Sequence, residues 1–293
     1  MGFSQALCRL LAQEHSHKPF EGNFVLLGRQ TTGVTYEEAI QLIEEVGLKQ
    51  RESVKIVYDE DTKASSSEIK FITEKTFISL LCEAKVLTID VTDYENCDII
   101  HDFTEPLPEN LKNFADIFWL GSCLDNISNP SVALNNAYQI VKKGGRIIDF
   151  ECSCMRLTAY IAYSPCFFLD WLALNSFKNA RLYLLALDKT ENFRGRWDIY
   201  SIQQLEYASF KYDFYSLPPD TIILSYWVAD KVGTHPVALN PIQAKYRPKE
   251  HQHNYIKTFK SWCNDNDRPV VVPISKKDPR IPKMTGYYHL GQV

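Results

Sequence analysis

Three aspartates stand just beyond short apolar runs: Asp90 after Val86-Leu-Thr-Ile, Asp102 after Asp98-Ile-Ile-His, and Asp125 after the run at 115–120 and its exit Gly121-Ser122-Cys123-Leu124. A carboxylate past the end of a strand can accept hydrogen bonds from a ligand lying outside the sheet. It can equally cap a turn. His101 abuts Asp102, which makes it either a base or a satisfied strand-end histidine, and Asn126 follows Asp125. Gly28-Arg29-Gln30-Thr31-Thr32-Gly33 follows the first apolar run. Two glycines framing a loop suit close backbone approach to a ligand or an ordinary strand-to-helix turn.

Other chemistry-bearing residues point less far. His15 with His17, and His251 with His253, are alternate-residue pairs that share a side only in an extended segment. Cys152-Ser153-Cys154 is too closely spaced for the usual zinc pair and has no second half. No Ser/His/Asp nucleophile motif and no phosphate-binding P-loop is present, and no metal site is expected. Tyr160, Tyr163, Phe167, Phe168 and Trp171 form an aromatic stretch that reads as core, lid or pocket wall.

These residues must be positioned by alternating strands and helices. Residues 5–15 read as an amphipathic helix, and 23–27 as a buried strand ending at Gly28. Thr35 with Glu38 forms a capping box for a helix that stops at Gly47. Residues 53–58 read as a short strand, 59–67 as a loop, and Thr73 begins a second helix. Strands follow at 85–90, 97–101 and 115–120, the last continuously apolar as a strand covered on both faces should be. Asn129-Pro130 opens a helix expected to end at Gly144-Gly145, with Lys142 and Lys143 in its last turn. Strands at 146–150, 180–187 and 222–229 and a helix at 165–174 complete the pattern, which implies a largely parallel sheet.

Composition sets the class. The chain has 293 residues, 45% of them apolar and 23% charged, which is ordinary for a globular protein. A net charge of −4 gives no nucleic-acid-coating surface. No signal peptide and no run long enough for a membrane span are visible. Eight cysteines, mostly inside apolar segments, read as free thiols in a reducing, cytoplasmic setting. From Pro236 the chain is rich in proline and reads as an irregular extension, 236–293, packed on a core domain at 1–235 and offering a surface for a protein partner or a second copy.

The stretch from Val86 to Phe150, about 65 residues, resembles the centre of the class I S-adenosylmethionine-dependent methyltransferases, as a divergent member. Val86-Leu-Thr-Ile-Asp90-Val91 is similar to their second strand. Asp98-Ile-Ile-His-Asp102-Phe103 with Glu105-Pro-Leu-Pro108 is similar to their third. Phe114-Ala-Asp-Ile-Phe-Trp-Leu-Gly121-Ser-Cys-Leu-Asp125-Asn126 is similar to the fourth, and Val141-Lys-Lys-Gly-Gly-Arg146 to the approach to the fifth. Tyr226-Trp-Val-Ala-Asp230 looks like the final strand. The resemblance implies an α/β, Rossmann-like methyltransferase fold, with a mostly parallel central sheet and helices on both faces.

It also implies S-adenosylmethionine as cofactor, held by Gly28, Arg29, Gln30, Thr31, Asp90, Val91, Asp102, Phe103, Gly121 and Ser122. In that reading Asp90 takes the ribose hydroxyls. Asp102 takes the adenine amino group, with Phe103 giving a backbone amide or a flat contact. Arg29 meets the methionyl carboxylate. Gly121 allows close backbone approach. His101, Asp125 and Asn126 are the candidate catalytic residues, and Tyr160, Tyr163 and Phe167 line the acceptor side.

Two features depart from the family. From position 28 to position 90 is 62 residues, where about 20 is usual. Residues 48–84 therefore read as an insertion; the rival register makes 53–58 the second strand and Asp59 the ribose acid. Asp125-Asn126 stands where many members place an acid and a histidine, so a histidine base is missing there. Two functions follow: methyl transfer to an oxygen or nitrogen of a small molecule, a glycan sugar or a specialised metabolite, driven by proximity, or an inactive methyltransferase-like binding or partner protein.

Overall fold

The computed structural model describes residues 2–60, 68–154, 159–188, 195–202, 221–243, 246–263, 271–275 and 287–293. Helix α1 (Gln5–His17) starts where the Ser4 hydroxyl accepts the Leu7 N–H, and strand β1 (Asn23–Leu27) follows. Helix α2 (Tyr36–Glu45) opens on the full Thr35/Glu38 capping box. Helix α3 (Glu74–Leu81) is capped by Thr73 and leads to β2 (Lys85–Asp90) and the two-residue β3 (Ile99–Ile100). Then come β4 (Ala115–Trp119), α4 (Pro130–Ile140), β5 (Val141–Cys152), α5 (Pro165–Leu174), β6 (Phe177–Asp188), β7 (Asp198–Ile202), β8 (Thr221–Lys231), α6 (Lys249–Cys263) and β9 (Tyr287–Gln292).

The nine strands of the described residues form one sheet in the order β3-β2-β1-β4-β5-β8-β6-β7-β9. The first five run parallel. Strand β8, which contains Tyr226 to Asp230, inserts antiparallel between β5 and β6. The order 3-2-1-4-5 is that of doubly wound sheets, which bind ligands beyond the carboxyl ends of the strands, where the order reverses. Here that switch point lies between β1 and β4.

Strand β1 shows why both faces are covered. Phe24 and Leu26 join one buried cluster with Leu7, Leu11, Phe77 and Trp119; Val25 and Leu27 join the other with Phe118, Ile147, Trp171 and Trp227. The period of two splits the run between a layer under α1, α2 and α3 and a layer under α4, α5 and α6. No helix among the described residues is long and apolar enough to cross a membrane. No disulfide joins the seven cysteines whose side chains are described.

Four expectations change. Residues 53–58 form no strand: Tyr58 makes only an isolated bridge to Ile72, so Asp59 is not at a sheet end beside β1 and the rival register falls. Helix α4 ends at Ile140, and Lys142 to Gly145 belong to β5 rather than to a last helical turn. The pairing shifts between Ala115 and Ile117, Gly144 takes φ +86°, and a Cβ on Gly145 would lie 2.8 Å from the Asp116 carbonyl oxygen. Lys142 meets the Asp116 carboxylate at 2.7 Å instead of a helix end. The extension beyond residue 236 is more regular than its prolines suggest. It holds α6, whose Tyr255 and Trp262 are buried seven residues apart on one face, and β9, which closes the sheet on β7. Finally, the alternate histidines sit in helices, where residues two apart do not share a side; His15 Nδ1 accepts the Phe20 N–H at 3.0 Å.

Candidate functional site

At the end of β1 the chain turns at Gly28, with φ +70° and its N–H bonded to the Ile89 carbonyl at 2.7 Å. A Cβ there would stand 3.3 Å from Cys123 Sγ and 3.9 Å from both Asp90 Oδ2 and Gln30 Nε2. The exits of β1, β2 and β4 therefore converge on one backbone position, at the switch point. Cys123 Sγ closes the gap by donating to the Leu27 carbonyl at 3.1 Å. Burial pushes its thiol pKa up, and Glu151 adds to the shift.

Asp90 is half-buried at the end of β2. One oxygen accepts the Val91 N–H at 2.7 Å, and the other faces Gly28. Val91 itself is exposed. Gln30 is buried and donates to the Leu27 carbonyl at 3.3 Å, while its Oε1 has no partner. Thr31 and Gly33 are engaged by the N-terminal segment: Phe3 N–H donates to the Thr31 carbonyl and Gly33 N–H to the Phe3 carbonyl, both at 2.8 Å. Arg29 turns the other way. It pairs with Glu74 at 2.6 Å and donates to the Glu95 carbonyl at 2.9 Å. Burial raises the Glu74 carboxyl and Arg29 opposes that shift.

On the far side of β2, Asp102 Oδ1 accepts both the N–H and the hydroxyl of Thr104, at 2.8 and 2.7 Å, which hold this half-buried carboxyl below its usual range. The Phe103 ring is not offered to a ligand: it is buried and stacks on Phe118 at 5.6 Å, because the third strand is only two residues long and the chain turns back into the core. His101 donates its backbone N–H to the Asp90 carbonyl at 2.8 Å, and its ring Nε2 is sealed without a partner. It follows β3, and two strands, β2 and β1, separate that edge from β4, whose exit carries Asp125 and Asn126. The three candidate catalytic residues are thus not brought together.

The β4 exit is a tight turn. Gly121 and Ser122 have φ of +42° and +57°, and a Cβ on Gly121 would lie 1.8 Å from Trp119 Nε1. The close approach that requires glycine here is to the Trp119 indole, whose N–H is buried and unpartnered. Asp125 is oriented by Asn126 Nδ2 at 2.7 Å and by the Ser122 hydroxyl at 3.3 Å. Its carbonyl accepts the N–H groups of Tyr160 and Ile161 at 2.7 and 3.1 Å, so the loop before α5 is strapped to the turn. Tyr160 is exposed. Tyr163 is buried and donates to the Leu124 carbonyl at 3.1 Å, and Phe167 lies 5.4 Å from the Tyr163 ring.

Two residues that strand reading left aside sit beneath that turn. Glu151 is fully buried, and its two oxygens accept the Leu124 and Asp125 N–H groups at 3.0 Å each. Asp149 is also fully buried, and Glu151 and Trp227 beside it oppose the upward shift that burial gives its carboxyl. Burial raises both carboxyls well above the carboxylate range, and Asp125 adds to each shift. The signal was available: Ile147, Asp149 and Glu151 alternate in a strand, which puts two acids on an inward face.

No protein-family model and no curated protein matches the chain. Solved structures align with parts of it. A Bacillus halodurans protein assigned as a methyltransferase aligns over 77% of this chain and 99% of its own, at 12% identity and a TM-score of 0.40. Human N-acetylserotonin methyltransferase, in complex with S-adenosylmethionine, aligns over 78% of this chain and 52% of its own, at 16% identity and a TM-score of 0.38. The CMeT domain of the citrinin polyketide synthase aligns over 52% of this chain at 10% identity and a TM-score of 0.30; this chain covers 35% of it. The chain therefore spans about a third of the last structure and about half of the human enzyme.

Proposed function

We propose that this chain, whose sheet has the class I methyltransferase fold, binds S-adenosylmethionine at the β1–β4 switch point and transfers a methyl group to an oxygen or nitrogen of a small molecule. The observation that carries this reading is the convergence of Asp90 Oδ2, Gln30 and Cys123 on the would-be Cβ of Gly28. That position is a left-handed turn, φ +70°, which favours glycine, beside a carboxylate able to accept two hydroxyls.

The residues present suit the cofactor. Asp90 would take the ribose and Asp102 the adenine amino group. Near Gly28 and Gly121 two sealed polar atoms lack partners, the acceptor Gln30 Oε1 and the donor Trp119 Nε1. An amino-acid head, with an ammonium and a carboxylate, needs one of each. Arg29, held by Glu74, is not part of this set.

Bound S-adenosylmethionine supplies a methyl group on a positively charged sulfur. The chain's part is to orient the acceptor and to move its proton. Asp125, buried and held by Asn126 and Ser122 at the β4 exit, would take that proton. Tyr163 and Phe167, with Tyr160 at the rim, would line the acceptor side. The acceptor class proposed is a sugar hydroxyl or an amine of a specialised metabolite, for which proximity and orientation do most of the work.

A second reading is a binding or partner protein without turnover. It is favoured by the Gly33 N–H and Thr31 carbonyl being taken up by Phe3, which removes loop groups from ligand contact. Calorimetric titration with S-adenosylmethionine and S-adenosylhomocysteine, on wild type and Asp90→Ala, tests the proposal. The expected result is binding that weakens by about 1–3 kcal/mol in the variant; no binding by folded wild type sinks it.

A further inference from the structure

We propose that Glu151 is a positioning residue of this site: from inside β5 it sets the β4-exit turn that forms both the cofactor wall and the acceptor wall. The inference rests on the methyltransferase reading above.

The short turn Leu124–Asn126 has no side-chain cap of its own at Cys123. Glu151 replaces it, one oxygen to Leu124 N–H and one to Asp125 N–H, both at 3.0 Å. A fully buried carboxylate with two charge-assisted amide bonds holds the turn far more stiffly than solvent would. The turn then transmits its position in two directions. Toward the cofactor, Cys123 Sγ reaches the Leu27 carbonyl at 3.1 Å and borders Gly28. Toward the acceptor, the Leu124 carbonyl receives the Tyr163 hydroxyl, and the Asp125 carbonyl receives the N–H groups of Tyr160 and Ile161. A shift at Glu151 moves both walls together.

Asp149 lies two residues back on the same face of β5, opposite Trp227 of β8. Among the described residues the titratable groups facing the acid pair are Asp125 and Cys123 from the turn and Tyr163 from the loop before α5, each of them an acid. Two adjacent buried carboxyls do not both ionise readily. The two amides favour charge on Glu151, so the shared proton resides on Asp149. The double amide contact fails if Glu151 is protonated and strains if Asp149 ionises as well.

The test is calorimetric titration of the full chain with S-adenosylhomocysteine across a pH series, for wild type, Glu151→Gln and Asp149→Asn, with a melting temperature for each. Wild-type affinity is expected to fall at both ends of the series. Glu151→Gln, which offers one acceptor oxygen instead of two, is expected to lose about tenfold or more in affinity and to flatten the profile. Asp149→Asn is expected to lose the alkaline limb alone, which a purely structural role would not produce. Wild-type affinity and profile in Glu151→Gln overturns the proposal while leaving the cofactor site standing. If Glu151→Gln does not fold, an unchanged alkaline limb in Asp149→Asn overturns it. Absence of binding by folded wild type overturns the methyltransferase reading and this proposal with it.

Discussion

Arg29 and Glu74 form an ion pair at 2.6 Å, with the Glu74 side chain wholly buried. The guanidinium that the sequence offered to a bound carboxylate instead ties the loop after β1 to the start of α3. Truncating Arg29 to alanine strands a buried charge, and breaking such a pair costs about 3–5 kcal/mol. Glu74→Gln should cost less, because Arg29 keeps its bond to the Glu95 carbonyl and some access to water. Thermal melts of the two variants check the order; equal effects would contradict it.

Gly121→Ala should be the most damaging glycine substitution at the site. Its Cβ would overlap the Trp119 indole at 1.8 Å, in a left-handed conformation that costs an L-residue about 1–2 kcal/mol before any clash. Gly28→Ala meets its nearest atom at 3.3 Å, so it should unfold later but weaken S-adenosylhomocysteine binding. Melting curves and titrations separate the two.

Asp98 links α3, β2 and β3. Its Oδ2 accepts Lys75 Nζ at 2.6 Å, the Thr88 N–H at 2.7 Å and the Thr88 hydroxyl at 2.9 Å. Partial burial works to raise its pKa, yet Lys75 and Thr88 together hold it below the usual value. A folded pKa below the unfolded one contributes stability above the unfolded value of about 3.9, and that stability is lost as pH falls through the folded value. Asp98→Asn should lower stability at pH 7 by about 1–3 kcal/mol and shrink the acid-side loss. Denaturant midpoints at pH 7 and pH 3 measure both.

Asp149 carries the opposite sign. Burial raises its folded pKa above the unfolded value, so its contribution is most favourable at acid pH and is lost as pH rises toward the folded value. Asp149→Asn should therefore stabilise the chain most at alkaline pH, with the gain fading toward about pH 4. A gain independent of pH would show that packing, not ionisation, sets it.

What the sequence by itself determined is local. The Thr35/Glu38 capping box, the helix at Pro165–Leu174 and the strand ending in Asp90 depend on contacts within a few residues, where periodicity and cap chemistry are decisive. Even the order of the methyltransferase-like pieces was legible, because each strand and its exit lie together in the chain. The tertiary structure decided everything that joins distant segments. Insertion of β8 between β5 and β6 placed Trp227 opposite Asp149. The close packing of β4 and β5 drew Lys142 to Gly145 out of the helix and into the sheet. Arg29 found Glu74 45 positions away, and Glu151 found Leu124 27 positions away. An ion pair or an amide bond of that span has no signature in spacing, since its partner is chosen by which strands become neighbours and how tightly they close.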